Sequence, residues 1–281
     1  MSQLPTPTES GFADVNDIRI WYQTYSEGDP LILLHGGFGS VEMFGPNIEV
    51  LAQGRRVIGV DLQAHGGTGP LGRPMSFEAM ATDVAELITS LGYEKADVMG
   101  YSLGGAVAMR VAIDHPEVVD RLVTVSAAYA YNNWHDYNFE GMRAIYADPA
   151  GTAESMIGSP MHQGYVAKAP GGEASWAEAV NEFGILIGTD YDWSSEVPDI
   201  TAPTLVIVGD WDAVRIGAAT HLFELLGGGA QDAQWDRSGM GQNHFAVIPN
   251  ATHYDIVNTT AISEIAIPFL DGYPEAAAPE Q

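Results

Sequence analysis

Gly100-Tyr101-Ser102-Leu103-Gly104 lies between a short apolar run, Ala96 to Met99, and a helix-compatible stretch of small and apolar residues, Gly105 to Ile113. The run reads as a buried strand and the stretch as a helix, so Ser102 is expected on a sharp strand-to-helix turn. A serine on such a turn adopts a strained backbone conformation, and the positions two before and two after it must lack side chains to avoid collision. Gly100 and Gly104 satisfy that demand. The helix starting after Ser102 directs free N–H groups, Leu103 first, at a place where negative charge can develop.

A serine so placed becomes a nucleophile only with a base and an acid to orient that base. Strand-like Thr204 to Gly209 is followed by Asp210-Trp211-Asp212, and strand-like Phe245 to Ile248 is followed by Pro249-Asn250-Ala251-Thr252-His253. Both groups thus follow predicted strands, where an open parallel sheet collects its functional residues. His253 is the expected base; His244 precedes its strand and competes weakly. Of the two aspartates, Asp212 is preferred as the partner of His253, with Asp210 as an anchor of the turn.

A second stretch, Leu31-Ile32-Leu33-Leu34-His35-Gly36-Gly37-Phe38-Gly39, runs an apolar strand into a His-Gly-Gly turn. With the G-x-S-x-G pattern, the order serine, aspartate, histidine, Asp61 to Gly66 after the strand Arg56 to Val60, and His115-Pro116-Glu117 closing the helix, the chain resembles the α/β-hydrolases from about Phe12 to Tyr273. It departs from them in carrying Ala64 where relatives have glycine before His65. The resemblance implies a mostly parallel central sheet flanked by helices, catalysis by Ser102, Asp212 and His253, and an oxyanion hole formed by the N–H of Leu103 and that of Gly37 or Phe38. It also implies that His35, His65 and His115 are structural.

Strands and helices alternate in the amino-terminal part, at Pro30 to Leu34, Arg56 to Asp61, Ser76 to Leu91, Ala96 to Tyr101 and Arg121 to Val125, as in a parallel sheet covered on both faces. Gly11 to Val15 and Ile18 to Tyr25, separated by Asn16-Asp17, are expected to form an antiparallel hairpin at the sheet edge. From Ala130 to Pro198 the strand pattern stops, with breaks at Asp148-Pro149, Ser159-Pro160 and Ala169 to Gly172. This divides the chain into a core at 12–129, a mainly helical cap at 130–198 and a second core part at 199–273, with flexible tails at 1–11 and 274–281. A terminal helix is expected over Thr260 to Leu270, and the glycine-rich Gly227 to Asn243 is an unusually long connection.

Eleven of the chain's 6 Trp, 12 Tyr and 9 Phe fall between Tyr129 and Trp193. Rings covering a strand-end site favour an apolar or aromatic substrate portion, although most must hold the cap to the core. The expected pocket residues are Tyr101, Trp134, Tyr137, Met142, Met161 and Trp211.

Length and composition, 281 residues at 46% hydrophobic and 17% charged, suit one large core with an appended unit. The formal charge of −26, from 11 basic and 37 acidic residues, would repel nucleic-acid phosphates and anionic membranes, and fits a solvated surface or a saline habitat. No apolar run is long enough to span a bilayer, and the opening residues lack signal-peptide features, so a cytoplasmic protein is expected. The absence of cysteine excludes disulfides and thiolate chemistry. No cofactor, metal or nucleic acid is expected; the partner is a small-molecule ester or lactone, and monomer and homodimer both stay open. Carbon–carbon bond hydrolysis, perhydrolysis and hydroxynitrile cleavage use similar triads, whereas haloalkane dehalogenation and epoxide opening use an aspartate where this chain has Ser102. A non-catalytic binding protein of the same fold is the reading from another class.

Overall fold

The computed structural model describes residues 4–273. Eight strands form one sheet in the order β1-β2-β4-β3-β5-β6-β7-β8. β1 (Glu9–Val15) and β2 (Ile18–Tyr25) make the expected hairpin, with Val15 opposite Ile18. Asn16 and Asp17 both take positive φ, 46° and 62°, the conformation that suits a two-residue hairpin turn. The strand begins at Glu9, so the expected amino-terminal tail is too long by three residues; residues 1–3 and 274–281 of the expected tails lie outside those described.

β2 joins β4 (Arg55–Asp61) antiparallel, and from there the sheet is parallel through β3 (Asp29–Leu34), β5 (Ala96–Tyr101), β6 (Val119–Val125), β7 (Thr204–Trp211) and β8 (His244–Thr252). Strands covered on both faces read as unbroken apolar runs. Leu31 to Leu34 are all fully buried, yet they serve different cores: Ile32 and Leu34 pack on one face, Leu31 and Leu33 on the other, as the pleat dictates.

The first core is covered by α2 (Phe77–Ser90), α3 (Leu103–Asp114) and α8 (Ile216–Leu225); the second by α1 (Pro46–Leu51) and α9 (Ala261–Leu270). Ser76 starts α2 by accepting a hydrogen bond from the Ala79 N–H at 3.1 Å. Between β6 and β7 lie α4 (Asp136–Ala147), α5 (Pro149–Ser155), α6 (Pro160–Lys168) and α7 (Trp176–Gly188). The sequence breaks at Asp148-Pro149 and Ser159-Pro160 turn out to be starts: each polar residue caps the helix that its proline opens, Asp148 accepting from Gly151 and Ser159 from His162.

Candidate active site

At the end of β5 the chain turns through Ser102 at φ 53° and ψ −114° and enters α3. A Cβ on Gly100 would lie inside contact distance of the Gly104 carbonyl, and one on Gly104 would do the same to the carbonyls of Leu34 and His35. The strained turn is therefore held where backbone meets backbone, and only glycine fits at either position.

Asp212 follows β7 directly and His253 follows β8, so two neighbouring strands carry both groups to the Ser102 end of the sheet. His253 Nε2 lies 3.0 Å from Ser102 Oγ, and His253 Nδ1 lies 2.8 Å from Asp212 Oδ1. A carboxylate only accepts, so Nδ1 carries the proton and Nε2 presents its lone pair to the serine hydroxyl. Asp212 also accepts from Ser126 Oγ at 2.5 Å, the Val214 N–H at 2.9 Å and the Gly209 N–H at 3.2 Å. Burial alone would raise the Asp212 carboxyl, but the His253, Ser126 and Val214 hydrogen bonds outweigh it and hold the group below the usual aspartate range. Asp210 instead accepts from the Ala251 N–H at 3.1 Å and ties β7 to β8.

Gly37, Phe38 and Leu103 line the same cavity as Ser102. Among the described residues none of their N–H groups has a hydrogen-bond acceptor, whereas the nearby Gly39 N–H bonds to Gly36 O and the Gly104 N–H to His35 O. Three free donors thus share a space with the serine hydroxyl. Phe38 holds φ 54°, uncommon for a residue with a large side chain.

The cavity measures about 330 Å³. Its wall is almost wholly apolar and contains no Lys, Arg, Asp or Glu. Of the expected pocket residues, Tyr101, Trp134, Met142 and Met161 line it. Tyr101 does more than line: its hydroxyl donates to the His253 carbonyl and so fixes the loop that bears the imidazole. Trp134 meets the His253 ring edge-on at 5.4 Å between centroids.

Tyr137 and Trp211 do not line the cavity; they are 83% and 78% exposed. Met142 and Ile145 give α4 its cavity face, and Tyr137, five residues before Met142, falls some 140° away from it around a 3.6-residue helix. Trp211 precedes inward-turned Asp212, and successive strand residues point to opposite sides.

Ser126, Phe183 and Tyr254 were not among the expected site residues, although Phe183 is one of the eleven rings between Tyr129 and Trp193. Ser126 had one available signal, its place just beyond β6, where parallel sheets collect functional groups. Phe183 and Tyr254 reach the cavity from α7 and from the residue after His253.

His35 and His65 are buried away from the serine. Nδ1 of each donates to a nearby carbonyl at 2.7 Å, Gly36 O and Gln63 O, and His35 Nε2 accepts the Leu62 N–H at 3.0 Å. Burial lowers their pKa values to about 4 and about 3, so both stay neutral. His115 makes its side-chain contact with Thr82 at 3.2 Å. His244 sits at the opposite end of β8 from His253, against Phe269 and Tyr273.

Among the described residues no group of three His, Asp or Glu side chains is arranged to hold a metal, and no helix is long and apolar enough to cross a membrane.

Residues 29–160 match a family described as alpha/beta hydrolase fold. Over 146 residues the chain is 32% identical to an sn-1-specific diacylglycerol lipase of Danio rerio, a match covering 49% of this chain and 46% of the relative. The chain spans about half the length of the curated relatives that it first matches. Among solved structures, a thermophilic esterase from Thermogutta terrifontis is similar with a TM-score of 0.71 at 21% identity, over 94% of this chain and 98% of that one. The enol-lactonase from Burkholderia xenovorans LB400 is similar with a TM-score of 0.69 at 21% identity, over 93% and 100%. Strand order, helical layers and the family match agree: the chain has the α/β-hydrolase fold.

Proposed function

We propose that this chain is a serine hydrolase that cleaves neutral carboxylic esters or lactones with an apolar portion, through an acyl-enzyme on Ser102. The observation that carries this reading is His253, whose Nε2 lies 3.0 Å from the serine hydroxyl while its Nδ1–H is bound to Asp212. In this reading His253 takes the Ser102 proton as Oγ attacks the carbonyl carbon. The carbonyl π electrons move to oxygen, and the oxyanion is held by the N–H of Leu103 and that of Gly37 or Phe38. Collapse of the tetrahedral adduct expels the alcohol, which takes its proton from His253. Water, deprotonated by the same imidazole, then releases the acid and restores Ser102. Asp212 stays ionised throughout, fixing the tautomer and stabilising the imidazolium.

The cavity wall supports the substrate class. With no cationic side chain in the lining, a substrate carboxylate would be desolvated without a partner, so neutral compounds are favoured. Met43, Met142 and Met161 add adaptable contacts beside the rings. The helices α4 to α7 act as a cap in this scheme, excluding water from the oxyanion. Carbon–carbon bond hydrolysis, perhydrolysis and cyanohydrin cleavage draw on the same three groups, and no feature of the wall favours them over ester hydrolysis.

The test is release of p-nitrophenol from short and medium acyl esters by the parent and by Ser102→Ala. The parent is expected to turn over these esters, and the variant to lose on the order of 10⁴-fold to 10⁶-fold in kcat. Equal rates in the two proteins would discard the mechanism.

A further inference from the structure

Phe183 on α7 touches neither Ser102 nor His253 in any hydrogen-bonded sense, yet its ring presses on the loop that carries two of the free N–H donors. A Cβ placed on Gly37 would fall inside contact distance of Phe183 Cζ and 3.1 Å from Cε1. The Phe38 and Phe183 rings meet edge to face at 4.7 Å between centroids. The His65 ring also meets Phe183, at 5.1 Å between centroids and edge to face. The ring therefore packs against both the Gly37-Phe38 loop and a buried, neutral histidine, and it is only 7% exposed.

The adjacent residue fastens the same helix to the core. Glu182 accepts a hydrogen bond from Gln63 Nε2 at 2.8 Å, and Gln63 Oε1 accepts from Arg73 Nε at 3.0 Å. The loop itself has little internal support: one hydrogen bond, from Gly39 N–H to Gly36 O at 3.2 Å, spans it. Phe38 nonetheless keeps a left-handed conformation that an unconstrained phenylalanine would leave. Strained conformations persist when their surroundings over-determine them, and Phe183 meets this loop at both Gly37 and Phe38, with Trp176 also beside Phe38 and Met43 beside Gly36 and Gly39.

We infer that Phe183 is a positioning residue for the oxyanion hole: the α7 ring sets where the Gly37 and Phe38 N–H groups stand relative to Ser102. The inference rests on the serine-hydrolase reading and deepens it. Oxyanion donors act by being fixed before charge develops, and a shift of an ångström is enough to weaken them. The consequence is a helix of the insertion that governs transition-state stabilisation without touching the substrate's reacting atoms.

Phe183→Leu removes the ring from Gly37, and Phe183→Met refills the volume without a ring should the leucine variant fold poorly. Each is compared with the parent on a p-nitrophenyl ester, on a trifluoromethyl ketone that forms a tetrahedral oxyanion with the serine, and on an alcohol of the same chain, which does not. The expected result is a 10-fold to 100-fold fall in kcat with KM within about 3-fold, a matching loss of ketone affinity, and alcohol affinity within about 3-fold. A residue that merely lined the cavity would weaken ketone and alcohol together, and that result, or an unchanged kcat, overturns the inference. The contact has its own readout. Gly37→Ala should lower the melting temperature by several degrees in the parent and distinctly less in Phe183→Leu. A parent that cleaves no ester and binds no ketone would count against the serine-hydrolase reading, while loss of that thermal coupling would count against Phe183 alone.

Discussion

Two helices of 12 residues each, α3 and α4, bracket the cavity from below and above, and they are built in opposite ways. From Leu103 to Ala112 every residue of α3 is buried, and Gly104, Gly105, Ala106 and Ala108 let it lie close on the sheet. No residue of α4 is buried; Met142 and Ile145 face the cavity instead of a packed core. The floor under Ser102 is backbone against backbone, with no space to relax. The roof is rings and thioethers over a void, fastened by apolar packing of Tyr165, Trp176, Val180 and Leu186 into the first core and by polar ties: Lys168 to Glu42 and Asp61, Glu182 to Gln63, Asn138 to Tyr254 and Arg215 to Asp136. A floor of this kind fixes geometry, whereas the α4 part of the roof, with no buried residue, sets the shape of the cavity.

The sharpest way to break the comparison is Gly104→Ala. Its Cβ would meet the backbone of Leu34 and His35, which has nowhere to go, so a loss of at least about 4 kcal/mol or failure to fold is expected in urea denaturation. A well-folded Gly104→Ala protein would show that the floor is softer than described.

Next comes the strongest tie of the roof. Lys168 Nζ lies 2.7 and 2.8 Å from the Glu42 carboxylate oxygens and 2.9 Å from Asp61, which is fully buried. Burial pushes the Glu42 carboxyl up, but Lys168 and, more weakly, Ser40 and Gln23 bring it down to about 2. Lys168→Met would leave Asp61 buried with only the N–H groups of Val41 and Gly67, at a cost of about 3 kcal/mol. If the loss stays in the roof, native-state hydrogen exchange will speed up in α6 while α3 keeps its protection. Equal acceleration in both would mean that roof and floor unfold as one unit.

The floor should also respond to acid. In the unfolded chain His35 and His65 take up protons near pH 6.5, but in the folded chain only at about 4 and about 3. Below pH 6.5 the unfolded state binds more protons, so the stabilisation is complete above that pH and is lost as the pH falls toward the folded values. Between pH 7 and 5.5 the two histidines together should lower unfolding stability by about 2 kcal/mol. A urea midpoint that does not move across that range would contradict their burial as neutral groups.

The smallest effects belong to the exposed rings of the rim. Tyr137→Ser and Trp211→Ser should each change stability by less than about 0.5 kcal/mol and leave kcat/KM within about 2-fold. A larger loss of kcat/KM on long acyl esters would bring those rings back into the substrate path.

Much of the core was legible because its signals are local. Ala96–Tyr101 is the strand that its apolar run predicted, and the hairpin turned at Asn16-Asp17. Of the two aspartates at the end of β7, Asp212 is the one beside His253, while Asp210 binds the Ala251 N–H. Ala64 shows φ 63°, which explains why glycine is usual before His65 and assigns the alanine a strain of about 1 kcal/mol. Two strands ran past their expected ends. β8 was expected to stop before Pro249 but continues to Thr252; as the edge strand it can hold a proline whose missing N–H has no neighbour to serve. No expectation covered α8, where Gly217 and Thr220 blur the helical pattern of Ile216–Leu225.

The sequence by itself determined the alternation of strands and helices, the turn that presents Ser102, and the chain order of serine, aspartate and histidine, because glycines, caps and apolar periods act over a few residues. Only the tertiary structure decided which rings face the cavity, that Ser126 supports Asp212, that Tyr101 holds the His253 loop, and that Phe183 leans on Gly37. Those outcomes depend on how helices between β6 and β7 rotate and settle over a sheet built from distant parts of the chain, and an apolar residue carries no local mark of which neighbour will cover it.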